Sequence, residues 1–108
     1  MSYYTKHIMW ENQKQTVIYA PASIDFDTLT SFDDAFALIP KHEYDRILKE
    51  TPYNLSPIER TLYLFHKIPS YHRISEDLAR RLFRDEPHLP GSTGYPDDWA
   101  NENYNSPL

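Results

Sequence analysis

The sequence predicts a small α+β domain, with an N-terminal β-hairpin, about four short helices and an irregular acidic C-terminal tail. Two runs rich in β-branched and aromatic residues open the chain, and capped, helix-like runs separated by prolines follow. The last 22 residues contain four prolines, both glycines and no basic residue. Because 108 residues suffice for one hydrophobic core, we assign residues 1–86 to a single domain. Residues 87–108 form the tail, packed on that domain or on a partner.

The hairpin is predicted from residues 3–10 and 15–20, which are joined by a short polar connection. Alternation along the first run places Ile8 and Trp10 on one face of the strand. An isolated hairpin is marginally stable, so we expect helices to cover one face of it. The hairpin then has an open edge unless something pairs with it, and an open edge can pair with another strand in a dimer or with a captured peptide.

The first of the four predicted helices begins after Ser31 and ends at Pro40. Ser31 is a suitable N-cap, and Phe32, Phe36 and Ile39 recur at helical spacing. The segment is therefore predicted to present an apolar stripe to the core.

Three more helices are predicted further along the chain. One spans about residues 41–50, and the next begins at Ser56, where Ser-Pro-Ile-Glu forms a capping box with proline at the first helical position. The last begins after Ser75 and turns its leucines inward and its arginines outward. We expect the inward-facing residues to be Ile58, Leu62, Phe65 and either Leu64 or Ile68 in the first of these two helices, and Leu78, Ala79, Leu82 and Phe83 in the second.

Composition excludes most site chemistry. The chain has no cysteine, which removes disulfides, thiolate nucleophiles and sulfur-ligated zinc. No glycine precedes Gly91, so the sequence has neither a glycine-rich phosphate loop nor the turn of a G-x-S-x-G nucleophile. The five histidines lack the i, i+3 or i, i+4 spacing of paired metal ligands. We therefore predict no enzyme activity, no catalytic residue, no cofactor and no metal; a metal site assembled from distant His and Asp residues stays open.

Charge is distributed unevenly. Residues 1–40 carry a net charge of −3, residues 41–84 carry +3 and residues 85–108 carry −5. Such a chain is not broadly attracted to nucleic acid or to anionic membranes. The first residues lack the profile of a signal peptide, and no apolar run is long enough to span a membrane. A cytoplasmic location without membrane contact is the expectation.

One alternative is a DNA-binding transcriptional regulator. Residues 55–60, Leu-Ser-Pro-Ile-Glu-Arg, and residues 74–79, Ile-Ser-Glu-Asp-Leu-Ala, resemble the helix starts of the helix-turn-helix in sigma-factor-like DNA-binding regions. The resemblance covers about thirty residues and implies a helix-turn-helix at 56–84. In that reading Glu76 and Asp77 would approach the bases, where their carboxylates would repel phosphate.

The leading hypothesis is a small protein–protein interaction module that binds another protein or a second copy of itself. Small acidic chains without cysteine are typical of bacterial or phage accessory proteins such as inhibitors, immunity proteins and antiactivators, which is an argument from class alone. Tyrosine, tryptophan and arginine are enriched at protein interfaces. The candidate partner-binding residues are Tyr3, Tyr4, Trp10, Arg80, Arg81, Arg84, Tyr95 and Trp99.

The acidic tail and the three arginines are possible complements. Carboxylates of the tail could fold back over the arginines while Tyr95 and Trp99 dock on apolar surface. Alternatively the tail crosses to a second copy, or the tail and the arginines bind different molecules. The sequence leaves these arrangements open.

Overall fold

The computed structural model describes residues 3–21 and 34–94 as a three-stranded antiparallel sheet with helices on both faces. The strands lie in the order β1-β2-β3. Helices α1 and α2 pack on one face of the sheet and α3 on the other. The elements are β1 (Tyr4–Trp10), β2 (Gln13–Ala20), β3 (Ala35–Pro40), α1 (Lys41–Glu50), α2 (Pro57–Lys67), a 3₁₀ turn (Ser70–His72) and α3 (Glu76–Asp85).

The predicted hairpin is confirmed, and its turn is tighter than expected. Trp10 pairs with Gln13, so only Glu11 and Asn12 form the turn. Their φ angles are 52° and 66°, as a type I′ turn requires at both central positions. Asparagine tolerates this left-handed conformation, whereas glutamate adopts it at a steric cost.

The first predicted helix is wrong where the structure describes it, because residues 35–40 form β3. Phe36 and Ile39 belong to a continuous apolar run, and a short run of this kind fits a strand buried on both faces as well as a helix. Pairing with β2 decides the outcome, since Phe36 lies opposite Tyr19 and Ala37 opposite Ile18. Ser31 and Phe32 lie outside the described residues.

The sheet separates two hydrophobic cores, so helices cover one face of the hairpin, as expected, and the other face as well. Both faces of β2 and β3 are apolar, and strands of that kind need cover on both sides. The core beneath α1 and α2 contains Ile18, Ala20, Ala37, Ile39, Tyr44, Ile47, Leu64, Phe65 and Ile68. The core beneath α3 contains Ile8, Val17, Phe36, Ala79, Leu82 and Phe83.

The starts of α2 and α3 are confirmed. Ser56 and Glu59 form the capping box, and the Ser75 hydroxyl accepts a hydrogen bond from the Leu78 amide. Inside α2 the predicted stripe is shifted, because Ile58 is 40% exposed and Thr61 is buried in its place. The Thr61 hydroxyl donates to the Pro57 carbonyl, which satisfies it within the helix. The structure has three α-helices in its described residues, not four.

In the described residues, α2 and α3 do not form the packed helix pair that the helix-turn-helix alternative implies at 56–84. The two helices of such a motif pack against each other, with the second exposed to the groove. Here α2 contributes Leu64 and Phe65 to one core, and α3 contributes Leu82 and Phe83 to the other. The sheet therefore lies between the helices.

The outer edge of β3 is covered by the segment after the 3₁₀ turn. The Ile74 amide donates to the Phe36 carbonyl at 3.0 Å, and Arg73 forms a bridge with Ala37. The Arg73 guanidinium donates to the Phe65 carbonyl at 2.7 Å and lies over the Phe65 ring. These contacts tie the end of α2 to the sheet.

The beginning of the predicted tail lies against the domain. Residues 87–94 form no helix or strand and follow the outer edge of β1. Tyr95, Trp99 and the rest of the tail lie outside the described residues. None of the helices in the described part of the chain has the length and apolar character to cross a membrane.

The Glu11–Asn12 turn makes a testable prediction about stability. We expect Glu11→Asn to raise the free energy of unfolding by about 0.5–1 kcal/mol, because asparagine accommodates the left-handed backbone at lower cost. Urea denaturation of both proteins measures the difference. Lys14→Asn is the control, since position 14 lies in β2 and should gain nothing. Equal stability of Glu11→Asn and the parent chain would contradict the turn assignment.

Candidate protein-binding surface

Five of the predicted partner-binding residues lie on the α3 side of the sheet. Tyr4 and Trp10 extend from β1 and pack partly buried against the core beneath α3, and α3 itself carries Arg80, Arg81 and Arg84. Because Tyr4 and Trp10 are the first and last residues of β1, the two aromatic side chains lie near opposite ends of the strand. The arginine-bearing helix crosses the same face.

Tyr3 belongs to the opposite face. It packs partly buried against the core beneath α1 and α2, and its hydroxyl lies 3.4 Å from that of Tyr44. The structure therefore does not bring Tyr3 together with the other predicted residues. Alternation along β1 accounts for this separation, since neighbouring side chains point to opposite faces.

Tyr4 is held in an aromatic ladder that crosses the sheet. Its ring stacks on Tyr19 with centroids 5.9 Å apart, and Tyr19 stacks on Phe36 at 5.0 Å. The Tyr19 hydroxyl donates to the Asp34 carboxylate at 3.1 Å. Burial and this acidic neighbour raise the pKa of Tyr19 well above its ordinary value, so its hydroxyl keeps its proton. The ladder is a rigid, half-buried surface beside α3.

The three arginines of α3 differ in their partners. Arg80 donates to Glu76 at 2.8 Å, and Arg84 donates to Asp85 at 3.0 Å. Arg81 is exposed, and no acidic side chain of residues 3–21 or 34–94 lies within ion-pair distance of it. Asp97, Asp98 and Glu102 of the tail lie outside the described residues, so the predicted complement between tail and arginines stays a prediction.

Buried Lys6 positions α3 on the sheet. The side chain is 0% exposed, and its ammonium donates to the carbonyls of Leu82 at 3.1 Å and Phe83 at 2.6 Å. These carbonyls belong to the last turn of α3, where a helix leaves acceptors unpaired and its dipole attracts positive charge. Lys6 therefore fixes the C-terminal end of α3, and with it the arginines, against β1.

Lys6 is absent from the residues that the sequence predicts to be functional, yet the sequence carries a signal for it. Lys6 alternates with Ile8 and Trp10, so the same periodicity that buries Ile8 turns Lys6 inward. A lysine at an inward position needs acceptors that are themselves buried. The sequence does not show that the end of α3 supplies them.

A second region of interest is the outer edge of β1, which is covered by residues 89–93, here called the strap. The Leu89 amide donates to the His7 carbonyl and the Thr93 amide to the Thr5 carbonyl, both at 3.0 Å. In return, the Thr5 amide donates to the Thr93 hydroxyl at 2.6 Å and the His7 amide to the Ser92 hydroxyl at 2.7 Å. The strap therefore covers the edge that the sequence predicts to be open, at Thr5 and His7.

His7 lies beneath the strap and is 3% exposed. Its Nδ1 is 2.8 Å from the Thr16 hydroxyl, and its ring meets Tyr44 edge-on. Gly91 sits directly above with φ at 95°, where a Cβ would lie 3.2 Å from the imidazole. Burial lowers the pKa of His7 below its ordinary value of 6.5, the Lys41 charge lowers it further, and Asp45 opposes both.

A groove at the hairpin end of the sheet is lined by basic and polar side chains. Its volume is about 440 Å³, and its lining residues are Gln13, Lys14, Lys41, His42 and Asp45. Lys41 and Asp45 form an ion pair at 2.9 Å, whereas no carboxylate of residues 3–21 or 34–94 lies within ion-pair distance of Lys14. The groove is open to solvent, and its basic side chains outnumber its single carboxylate.

Glu43 and His72 join α1 to the 3₁₀ turn. Glu43 Oε2 and His72 Nδ1 are 3.3 Å apart, close enough for an ion pair but without hydrogen-bond alignment, and neither atom has a hydrogen-bond partner among the described residues. The neighbouring Tyr71 side chain is 79% exposed. The Glu43–His72 contact links α1 to the 3₁₀ turn.

Neither metal chemistry nor comparison with known proteins assigns a function. Within residues 3–21 and 34–94, no three His, Asp or Glu side chains are grouped so as to hold a metal ion. No family model, curated protein or solved structure matches the chain. The predicted absence of catalysis and of cofactors stays a prediction.

The environment of His7 predicts how stability depends on pH. Because its pKa is lowered on folding, the unfolded chain binds the proton more readily, and the native state loses stability as pH falls below about 6.5. The loss approaches about 1.4 kcal/mol per pH unit for one proton. Urea denaturation from pH 7.5 to 5 measures this slope.

His7→Gln removes the titrating group and should flatten the dependence in that range. His42→Gln, an exposed histidine of α1, serves as the control and should retain the parent slope. An unchanged slope in His7→Gln would show that His7 does not titrate as its burial implies.

Proposed function

We propose that the chain is a protein-binding module whose contact surface is the outer side of the α3 layer. The module acts by binding, in the manner of an inhibitor, immunity protein or antiactivator, and its partner presents an acidic surface. The observation that carries the proposal is Arg81, an exposed arginine on a rigid helix with no ion pair in the described part of the chain. A second copy of the chain is the other occupant to be tested.

Arg81 has the chemistry of an interface residue. A guanidinium donates in a planar fork to a carboxylate, and arginine is enriched among residues that dominate binding energy. Its neighbours Arg80 and Arg84 already hold carboxylates on or beside the helix, which restrains their side chains. Arg81 therefore remains available for a carboxylate of the partner, with a positive field around it.

The aromatic residues beside α3 support the same surface. Tyr4 and Trp10 are partly buried, and Tyr4 is further held by its stack on Tyr19. Side chains that are already ordered lose little entropy when a partner covers them. The surface thus combines an arginine without an ion pair in the described residues with packed aromatic area, the composition seen at the centres of protein interfaces.

A protein partner fits this surface better than DNA. α3 begins with Glu76 and Asp77, which would repel phosphate where the helix approached a groove. Affinity for DNA needs several phosphate contacts, and the chain carries a net charge of −5. The separation of α2 from α3 also removes the support that a recognition helix needs.

Charge reversal at Arg81 tests the proposal. We expect Arg81→Glu to weaken partner binding at least tenfold, because a charge-assisted hydrogen bond is replaced by repulsion. To measure the effect, wild-type and variant chains are immobilised and incubated with cell extract. The retained protein is identified by mass spectrometry, and its affinity for each chain is then measured by titration. Sedimentation of the purified chain tests self-association in parallel.

Arg46→Glu is the matched control. Arg46 is also an exposed helical arginine, but it lies on α1, on the other side of the sheet, and pairs with Glu50. A partner retained equally by the Arg81→Glu and wild-type baits, or lost equally with Arg46→Glu, would contradict the assignment of the surface to α3.

A further inference from the structure

β1 is an outer strand whose edge is covered along only part of its length. In the hairpin register Tyr4, Lys6, Ile8 and Trp10 pair with β2, so the backbone groups of Thr5, His7 and Met9 point outward. The strap satisfies Thr5 and His7. No hydrogen bond to the outward groups of Met9 is recorded from residues 3–21 or 34–94, and its side chain is 46% exposed.

The strap is not a fourth strand. Both outward amides of β1 that it covers donate to side-chain hydroxyls, those of Thr93 and Ser92, rather than to backbone carbonyls. The strap has one partly buried apolar side chain, Leu89, and otherwise consists of residues that bury little apolar surface. Segments held by a few edge hydrogen bonds and little packing open locally at much lower cost than the whole fold.

Charge beside the open end of this edge is basic. Met9 lies opposite Lys14, and their side chains share the face on which α1 packs. Lys14 lines the groove together with Lys41 and His42, against a single carboxylate, that of Asp45. An extended chain that continued along β1 past Met9 would pass beside this groove.

We propose that the β1 edge is a docking site for an extended acidic segment of a partner protein, which displaces the strap and pairs with β1 as an added strand. This surface is separate from the outer side of α3, so the proposal goes beyond the function proposed above. Strand addition is an established mode of peptide recognition, in which backbone bonds provide affinity and alternate side chains provide specificity.

The exchange replaces the strap bonds with a fuller set. Each outward residue of an edge strand offers one amide and one carbonyl, so an added strand can satisfy Thr5, His7 and Met9 together. The strap reaches only the first two of these. Alternate side chains of the incoming segment would face the groove, where carboxylates complement Lys14 and Lys41.

Two synthetic peptides with alternating residues test the proposal. The first alternates valine with glutamate and the second, its matched control, alternates valine with lysine. We expect the glutamate peptide to bind at least tenfold more tightly and to shift the backbone amide resonances of residues 5–9 and 14 in nuclear magnetic resonance titrations. Equal binding of the two peptides, binding of neither, or shifts located elsewhere would overturn the proposal.

An engineered disulfide that can be reduced tests whether the strap is displaced. The Thr5 and Thr93 hydroxyl oxygens are 3.3 Å apart, and the chain has no cysteine, so Thr5→Cys with Thr93→Cys can form a single disulfide between strap and strand. We expect the oxidised protein to bind the glutamate peptide at least tenfold more weakly than the reduced protein. Equal affinity in the two states would show that the strap stays in place.

A second variant tests the peptide site without the engineered disulfide. Lys14 is exposed in the hairpin. The substitution Lys14→Glu should make the lysine peptide bind more tightly than the glutamate peptide. An unchanged preference would overturn the assignment of the acidic segment to this groove. Arg81→Glu should leave peptide binding unaltered, so failure at the β1 edge and failure at the α3 surface can be told apart.

Discussion

The buried Lys6 ammonium donates hydrogen bonds to two carbonyls in the last turn of α3, and the arrangement of the molecule depends on this contact. It joins the first strand to the last helix across 76 positions in sequence and fixes where α3 ends on the sheet. The strap begins four residues after that end, so the position of α3 also determines where the strap meets β1. A buried ammonium is costly in itself, and the helix terminus offers the partial negative charge that offsets the cost.

Helices cover both faces of the sheet, and other segments of the described chain bond to part of each outer edge. The β3 edge is held by the Ile74 amide and the Arg73 bridge, and the β1 edge by the strap. The surfaces left exposed in the described residues include the outer side of α3, which carries Arg81, and the short open stretch of β1 at Met9 beside Lys14. The proposed functions use these two places, one through charge and aromatic area, the other through backbone pairing.

Local signals predicted much of the fold, and contacts between distant segments account for what they missed. The capping box at Ser56 and the cap at Ser75 specify helix starts through their own short-range bonds, and both helices form where predicted. The run around Phe36 has no such signal; pairing with β2 makes it a strand. The strap hydroxyls likewise reveal their role only when the fold brings Thr93 to Thr5. Sequence reasoning named the arginines and Tyr4 as candidates, and alternation along β1 indicates that Lys6 points inward, but its bonds to the end of α3 appear only in the fold.

The central claim is that Lys6 fixes α3 by satisfying its terminal carbonyls, and Lys6→Met tests it directly. Methionine keeps the length and apolar stem but removes the donor, so the free energy of unfolding should fall by about 1–3 kcal/mol. Hydrogen exchange should also become faster at the Glu86 amide, which bonds to Leu82 beside the lost contact. Lys14→Met, on the exposed part of the hairpin, is the control and should change neither. Equal or greater stability of Lys6→Met, with unchanged exchange at Glu86, would show that desolvation of the ammonium outweighs its bonds and that packing alone positions α3.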